Sequence, residues 1–303
     1  MKLVMTLLVR DEQDALRANI EFHRAQGVEF FIITDNKSED ATPAIAKEYE
    51  QAGLAHYIFE GDDDYNQSAW VTRMAKLAAT EYGADWVINN DADEFWWPVR
   101  GDLRSTFAGI AEPANILVAP RHDFVPLADE QALFFHDMVY RKKVSLNTIG
   151  KPLPPKVAHR ADPDVLVAQG NHWAELSADE VTLDGRIDIL HFPIRSYAQF
   201  TNKIIKGGQA YERNTTQNAQ AGKTWKKLYE EYKKNGLVDF YRKQSLSAAQ
   251  IEKGLRHGEL VADRRLSDYL LELEDRGLLA AAQQETAVLA LSLIHISEPT
   301  RLD

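Results

Sequence analysis

The stretch Asp85-Trp86-Val87-Ile88-Asn89-Asn90-Asp91-Ala92-Asp93-Glu94-Phe95-Trp96-Trp97 sets three carboxylates between an apolar run and an aromatic one. On an extended backbone side chains alternate faces, so Asp91 and Asp93 point one way and Glu94 the other. Neighbouring carboxylates repel and are expensive to desolvate unless a cation lies between them. The pattern points to a divalent-metal site at the end of a buried strand, held by Asp91 and Asp93, with oxygen ligands suited to Mn²⁺ or Mg²⁺. An acidic turn after a strand is the plainer alternative. The aromatic run Phe95, Trp96 and Trp97 is out of place beside a solvated turn and weighs for the metal.

Outward from this stretch, strands and helices alternate. Residues 3–9 are a continuous apolar run, as a parallel strand covered on both faces requires. Asp11 is placed to cap a helix with Leu16, Ile20 and His23 on one stripe and Gly27 at its end. Residues 28–34 give a second strand, Thr42-Pro43 opens a second helix, and residues 54–59 give a third strand. A third helix carries Trp70, Met74, Leu77 and Ala78 as its buried stripe, with Arg73 on the border, and residues 86–90 form a fourth strand. This alternation predicts an α/β fold built on a mostly parallel sheet. Ligands bind beyond the carboxyl ends of such strands. Arg10-Asp11, Asp35-Asn36 and Asp91-Ala92-Asp93 all follow strands directly, so they converge on one crevice. No Gly-x-Gly-x-x-Gly follows the first strand and no Gly-x-x-x-x-Gly-Lys-Ser/Thr occurs, which removes the main support for dinucleotide-binding and P-loop readings.

The 303 residues carry a net charge of -11, which argues against nucleic acid or an anionic membrane as the main partner. The absence of cysteine excludes thiol chemistry, disulfides and Cys-ligated zinc. The start resembles a signal peptide only superficially, because its apolar part is short and Arg10-Asp11-Glu12 follows at once. Residues 278–296 are interrupted by Gln283-Gln284-Glu285-Thr286, so no transmembrane segment is expected. The expectation is a soluble, cytoplasmic protein.

Beyond residue 100 the periodicity weakens. Residues 101–110 read as a short helix, 115–119 as a strand and 139–146 as another, and residues 121–186 as an acceptor-side insertion. Within it Asp123, His172 and Glu175 are candidate general bases. Residues 187–193 read as a strand carrying His191. Ser196 and Gln199 form a capping box opening a helix that Gly207-Gly208 ends. Arg195 stands before that helix N-terminus, where free backbone N–H groups attract anions. Lys203 and Lys206 share a helix face. A pyrophosphate gives this positive corner of an acidic protein a reason. Residues 214–222 read as a polar linker. Apolar stripes at Trp225, Leu228, Tyr229 and Tyr232, at Ile251 and Leu255, and at Leu266, Tyr269, Leu270 and Leu273 predict helices that pack on the sheet domain or form a homodimer. Residues 292–303 do not fit the pattern before them and read as a non-native tail.

Three segments, Leu8-Val9-Arg10-Asp11-Glu12, Thr34-Asp35-Asn36-Lys37-Ser38-Glu39-Asp40-Ala41-Thr42 and Asn90-Asp91-Ala92-Asp93-Glu94-Phe95, in this order and spacing resemble a family 2-type glycosyltransferase of the GT-A fold. The resemblance is to the bacterial branch related to the family 92-like enzymes and covers roughly residues 2–210. It implies a Rossmann-like catalytic domain over residues 1–212, with helices on both sheet faces, and a helical C-terminal region over 213–291. In such enzymes the Asp-x-Asp holds Mn²⁺ or Mg²⁺ against the diphosphate of a nucleotide-sugar, and the sugar moves to a hydroxyl acceptor, here with inversion. The resemblance places Asp35 against the base and Arg73 on the helix before the Asp-x-Asp. It makes His191 the third metal ligand beside Asp91 and Asp93. Arg10, Asp35, Arg73, Asp91, Arg195 and Lys203 are the expected donor-binding set. A nucleotidyltransferase is the nearest rival, weakened because no Gly-rich basic loop follows the first strand. A non-catalytic glycan- or nucleotide-binding protein is the third reading.

Overall fold

The apolar run that begins the chain is sandwiched, and its alternation decides what covers each side. In the computed structural model, which describes residues 1–63, 66–128, 133–146, 150–213 and 223–279, Leu3, Met5, Leu7 and Val9 pack with Leu16, Ile20, Ile45, Leu103 and Phe107 on one face of a sheet. Val4 packs on the other with Val71, Met74, Ala75 and Ala78. The strands are β1 (Leu3–Val9), β2 (Phe30–Asp35), β3 (Ala55–Phe59), β4 (Trp86–Asp91), β5 (Glu94–Pro98), β6 (Ile116–Ala119), β7 (Arg121–Asp123), β8 (Tyr140–Lys142), β9 (Lys156–Arg160), β10 (Leu166–Val167), β11 (Ala174–Glu175), β12 (Thr182–Leu183), β13 (Ile187–His191) and β14 (Leu260–Ala262). The helices are α1 (Leu16–Ala25), α2 (Thr42–Gln51), α3 (Gln67–Thr80), α4 (Leu103–Ala108), α5 (Phe134–Asp137), α6 (Tyr197–Arg213), α7 (Lys223–Lys233), α8 (Leu237–Gln244), α9 (Ala248–Arg256) and α10 (Arg265–Asp275).

The fold is α/β, with helices on both faces of a seven-stranded sheet of order β12-β6-β9-β4-β1-β2-β3. Its pairs β4–β1, β1–β2, β2–β3 and β12–β6 are parallel. β9 alone runs against its neighbours β4 and β6. A second sheet of order β5-β13-β7 pairs Glu94 with His191 and His191 with Asp123 across adjacent strands. That register brings three polar groups from distant sequence to one place beyond the end of β4.

Several expectations are revised by packing. Residues 121–186 supply β7, β9 and β12 to the two sheets, so this segment is built into the fold. Its strands are short, and poor periodicity hid them. Of residues 139–146, only Tyr140–Lys142 is strand. Asp11 does not cap α1, whose N-cap is Ala15; Asp11 sits in a left-handed turn at φ 54° and faces α6. Gly207-Gly208 does not end α6. A Cβ on either glycine would lie 2.6 Å from Trp225 or 2.3 Å from Tyr229, so both are present because α7 crosses there in direct contact. The last helix, α10, packs on the sheet domain, one of the two arrangements expected: Leu266, Leu270 and Leu273 join Phe22, Phe95 and Phe192 in one apolar cluster. The expected linker 214–222 and tail 292–303 lie outside the described residues. Among those described, no helix is long and apolar enough to cross a membrane.

Two histidines are fully buried and neutral. His23 accepts from the Trp96 backbone N–H through Nε2 at 3.1 Å while its Nδ1 faces the Asn19 carbonyl at 2.8 Å. Burial holds its pKa down near 3. His159 on β9 is likewise held near 4. Below about pH 6.5 the unfolded chain takes up these protons and the folded chain does not until about pH 4 or lower, so stability falls with falling pH. Urea denaturation is expected to show a loss of about 2 kcal/mol for each of the two between pH 7 and pH 5, absent at His159 in a His159→Gln variant.

Candidate active site

The reading of Asp91 to Glu94 turns on whether the backbone stays extended, and it does not. β4 ends at Asp91 and β5 starts at Glu94, so Ala92 and Asp93 form a tight turn. A buried polar network fixes it. Asn19 donates through Nδ2 to the carbonyls of Ala92 at 3.0 Å and Glu94 at 2.8 Å. Asn90 donates to the Glu94 carbonyl at 3.1 Å and accepts from Trp96 Nε1 at 2.9 Å. Asp91 and Asp93 nevertheless both line one cleft and Glu94 does not; Asp91 stays partly exposed, while Asp93 and Glu94 are buried. Phe95 and Trp96 are core residues and Trp97 stacks on Phe22. The aromatic run serves the core and does not wall a metal site.

Beyond the carboxyl ends of β1, β2 and β4 lies a cleft of about 770 Å³, lined at its floor by Arg10, Asp11, Glu12, Asn36, Asp91 and Asp93. Its far side carries Arg121, Asp123, Lys156, His172 and His191, and α6 contributes Lys203 and Lys206. Lys156 Nζ lies 2.5 Å from Asp91 Oδ2 and 3.2 Å from Glu94 Oε2. Arg121 reaches Glu94 Oε1 at 3.4 Å. Lys203 Nζ donates to Asp93 Oδ2 at 2.6 Å and lies 3.6 Å from Glu12. Lys206 bridges Asp11 at 2.5 Å and Glu39 at 2.8 Å. Arg10 donates to Asp63 at 2.6 Å. Asp11, Glu12, Asp91 and Asp93 each have a lysine or arginine partner.

His191 and Asp123 form a pair at 2.7 Å. A carboxylate only accepts, so His191 Nδ1 carries the proton. Burial opposes the imidazolium, yet the bond to Asp123 and the charge of Asp93 outweigh it and raise the His191 pKa. Asp123 responds in kind: burial pushes it up, but His191 and the more distant Lys142 and Arg121 hold it below the usual carboxylate range. Burial would also raise Asp93, but Lys203, His191 and Arg195 keep it strongly depressed. Burial lowers His172 to about 4, aided by the Lys156 charge, and its Nδ1 faces the Pro155 carbonyl at 2.8 Å.

Other expected site residues face elsewhere. Asp35 is buried, accepting from Tyr57 Oη at 2.8 Å and from the Ser38 N–H at 3.0 Å, so it shapes its own loop, and the neighbouring Asn36 lines the cleft. Arg73 pairs with Glu60 at 2.9 Å and does not line the cleft. Glu175 is exposed on β11, also away from it. Arg195 is not open to an anion: its side chain is 1% exposed, with Asp14 Oδ2 at 2.7 Å, Glu12 Oε2 at 2.5 Å and Asp93 at 3.8 Å.

The Mn²⁺ or Mg²⁺ expected on Asp91, Asp93 and His191 does not fit the groups as arranged. Among the described residues no three His, Asp or Glu side chains come together as a cation-holding group. His191 Nε2 and Asp93 Oδ1, 3.8 Å apart, are spaced as two donors of one ion could be, but Asp91 is drawn away toward Lys156 and Asn171. A lysine ammonium bonds the Oδ2 oxygen of each aspartate. Sequence reasoning missed Lys156, Arg121, Glu12 and Glu94. The one signal for Lys156 was a lone charge opening the apolar run of β9, masked by the prolines before it.

Comparison with known proteins gives one family likeness. A model of glycosyltransferase family 92 matches residues 5–116. No curated protein matches the chain. Among solved structures, TarS 1-349 of S. aureus in complex with UDP is 12% identical, covers 91% of this chain and 92% of that chain, and has a TM-score of 0.40. HddC from Yersinia pseudotuberculosis is 10% identical over 67% of this chain and 97% of that one, with a TM-score of 0.36. Glucosyl-3-phosphoglycerate synthase from Mycobacterium tuberculosis, in complex with Mn²⁺, uridine-diphosphate and phosphoglyceric acid, is 14% identical over 53% and 56% of the two chains, with a TM-score of 0.30. The span that carries Arg10, Glu12, Asn36, Asp91 and Asp93 is thus similar to glycosyltransferase family 92.

Proposed function

We propose that this protein is a glycosyltransferase of the GT-A type that moves a sugar from a nucleotide-sugar donor to a hydroxyl acceptor, with inversion as in family 2-type enzymes. The observation that carries the reading is a coincidence of two independent facts. The span similar to family 92, residues 5–116, contains the strand-end residues that floor the cleft. The ring of cations supports the same reading. Lys203 is the lysine most open to the cleft among those pairing its aspartates, and Lys206 and Arg10 stand beside it. A nucleoside diphosphate leaving group builds negative charge, and such donors stabilise it.

Asp123 is the base in this proposal. It is a carboxylate at neutral pH, lines the cleft and is oriented by His191. It takes the proton of the acceptor hydroxyl as that oxygen attacks the anomeric carbon. The bond from that carbon to the diphosphate oxygen breaks, and the nucleoside diphosphate departs with the electron pair. A single displacement of this kind inverts the anomeric centre. No step is routed through a divalent metal, since the donor set does not fit one.

The test is turnover of nucleotide-sugars, read as nucleoside diphosphate release in the presence of candidate acceptors. Release that a Lys203→Met exchange abolishes supports the proposal. Pyrophosphate formation from a nucleoside triphosphate in its place identifies a nucleotidyltransferase, and tight nucleotide binding without turnover identifies a binding protein.

A further inference from the structure

We infer that Lys156 and Lys203 act as fixed cations between the cleft carboxylates, and that the donor diphosphate binds here without a divalent metal. The inference rests on the donor reading of the cleft given above. Its starting point is an electrostatic requirement: buried carboxylates packed around one turn need positive charge between them. The structure meets that requirement twice with side chains.

Lys156 projects from the antiparallel strand β9 and is 1% exposed. Its ammonium lies between Asp91 at 2.5 Å and Glu94 at 3.2 Å. Lys203 projects from α6 and lies between Asp93 at 2.6 Å and Glu12 at 3.6 Å. The two lysines come from different elements, β9 and α6, and pair with different aspartates of the Asp91 to Glu94 turn. Each takes up the Oδ2 oxygen of its aspartate. Arg195 closes the set from behind, against Glu12 and Asp93.

The metal has little left to hold. Mg²⁺ and Mn²⁺ want about six oxygen donors, several of them anionic. Here Asp91 Oδ2 and Asp93 Oδ2 already accept from lysine, and Asp91 Oδ1 accepts from Asn171 at 3.2 Å. The His191 imidazole approaches Asp93 Oδ1 at 3.8 Å, but among the described residues no group of three such side chains is placed to hold a metal ion. A divalent ion entering this site adds two charges to groups that already have cationic partners.

The lysines divide the work by exposure. Lys156 is sealed and only neutralises. The Lys203 side chain keeps 28% of its surface open, and it faces the same cleft as Lys206 and Arg10. It can therefore donate to a phosphate oxygen while still held by Asp93, because an ammonium has three N–H groups.

The experiment titrates ADP, CDP, GDP and UDP into the unaltered full chain by calorimetry, once in excess EDTA and once in excess Mn²⁺. At least one diphosphate is expected to bind in EDTA, with Kd changed less than about threefold by Mn²⁺, and Lys203→Met is expected to weaken it by about tenfold or more. Electron paramagnetic resonance of Mn²⁺ added to the ligand-free chain is expected to keep the free-ion signal. Binding that appears only with Mn²⁺, or a stoichiometric loss of the free-ion signal, overturns this inference and leaves the donor reading standing. Failure of all four diphosphates in both buffers overturns the donor reading and the inference with it.

Discussion

Replacing Arg195 by alanine is expected to destabilise the protein by about 3–5 kcal/mol, the range for removing one partner from a buried ion cluster. The guanidinium is sealed from solvent and spreads its donors over Glu12, Asp14 and the Phe192 carbonyl at 3.2 Å. Asp93 also lies within its field. Without it, Glu12, whose pKa burial already raises against the pull of Arg195 and Lys203, is left buried beside Asp93 with one lysine between them. Arg195→Lys is expected to recover less than half of the loss, because an ammonium cannot reproduce the planar fork. A second exchange, Glu12→Gln, is expected to restore part of it by removing the stranded charge. Urea unfolding of the four proteins is the measurement. A loss below about 1 kcal/mol for Arg195→Ala means the cluster is not what anchors the start of α6.

Exchanging Asp123 for asparagine is expected to lower turnover by about 10²- to 10⁴-fold, the usual contribution of a positioned base. Nucleoside diphosphate affinity is expected to stay within about threefold, because Asp123 acts on the acceptor side and forms no part of the diphosphate corner. Asparagine keeps the shape and still accepts from His191 Nδ1, but has no carboxylate to take a proton. A His191→Gln exchange is expected to fall between wild type and Asp123→Asn, since His191 only orients and charges the base. Equal losses of affinity and turnover in Asp123→Asn mean that it supports the fold of the cleft and that the base lies elsewhere, with His172 the next residue to exchange.

The parallel part of the central sheet, β1 to β4, was legible because its strands carry continuous apolar runs and helices of matching period separate them. β1 to β4, α1 to α3 and the strand carrying His191 all follow from that patterning. So does the crevice, since strand ends converge wherever strands run parallel. What could not be read is the pairing of charges. Lys203 meets Asp93 across 110 residues and Arg195 meets Glu12 across 183, and no local pattern encodes such a contact. The charges around Asp91 and Asp93 were hidden for the same reason: Lys156 and Lys203, which pair with them, come from elsewhere in the chain. Asp35 and Arg195 were drawn to the donor by their positions, at a strand end and before a helix, whereas in the fold each is consumed by nearer partners. Gly207-Gly208 reads locally as a helix end, and only the crossing of α7 gives it its other meaning.

The reversed strand β9 has a practical corollary. It wedges between β4 and β6 and delivers the lysine that Asp91 and Glu94 require, yet it lies wholly past residue 116, where the family likeness stops. The front portion of the polypeptide is therefore not a self-sufficient module. Trimmed at that boundary, or transplanted onto another C-terminal half, it would keep its two signature aspartates while losing the counter-charge from β9.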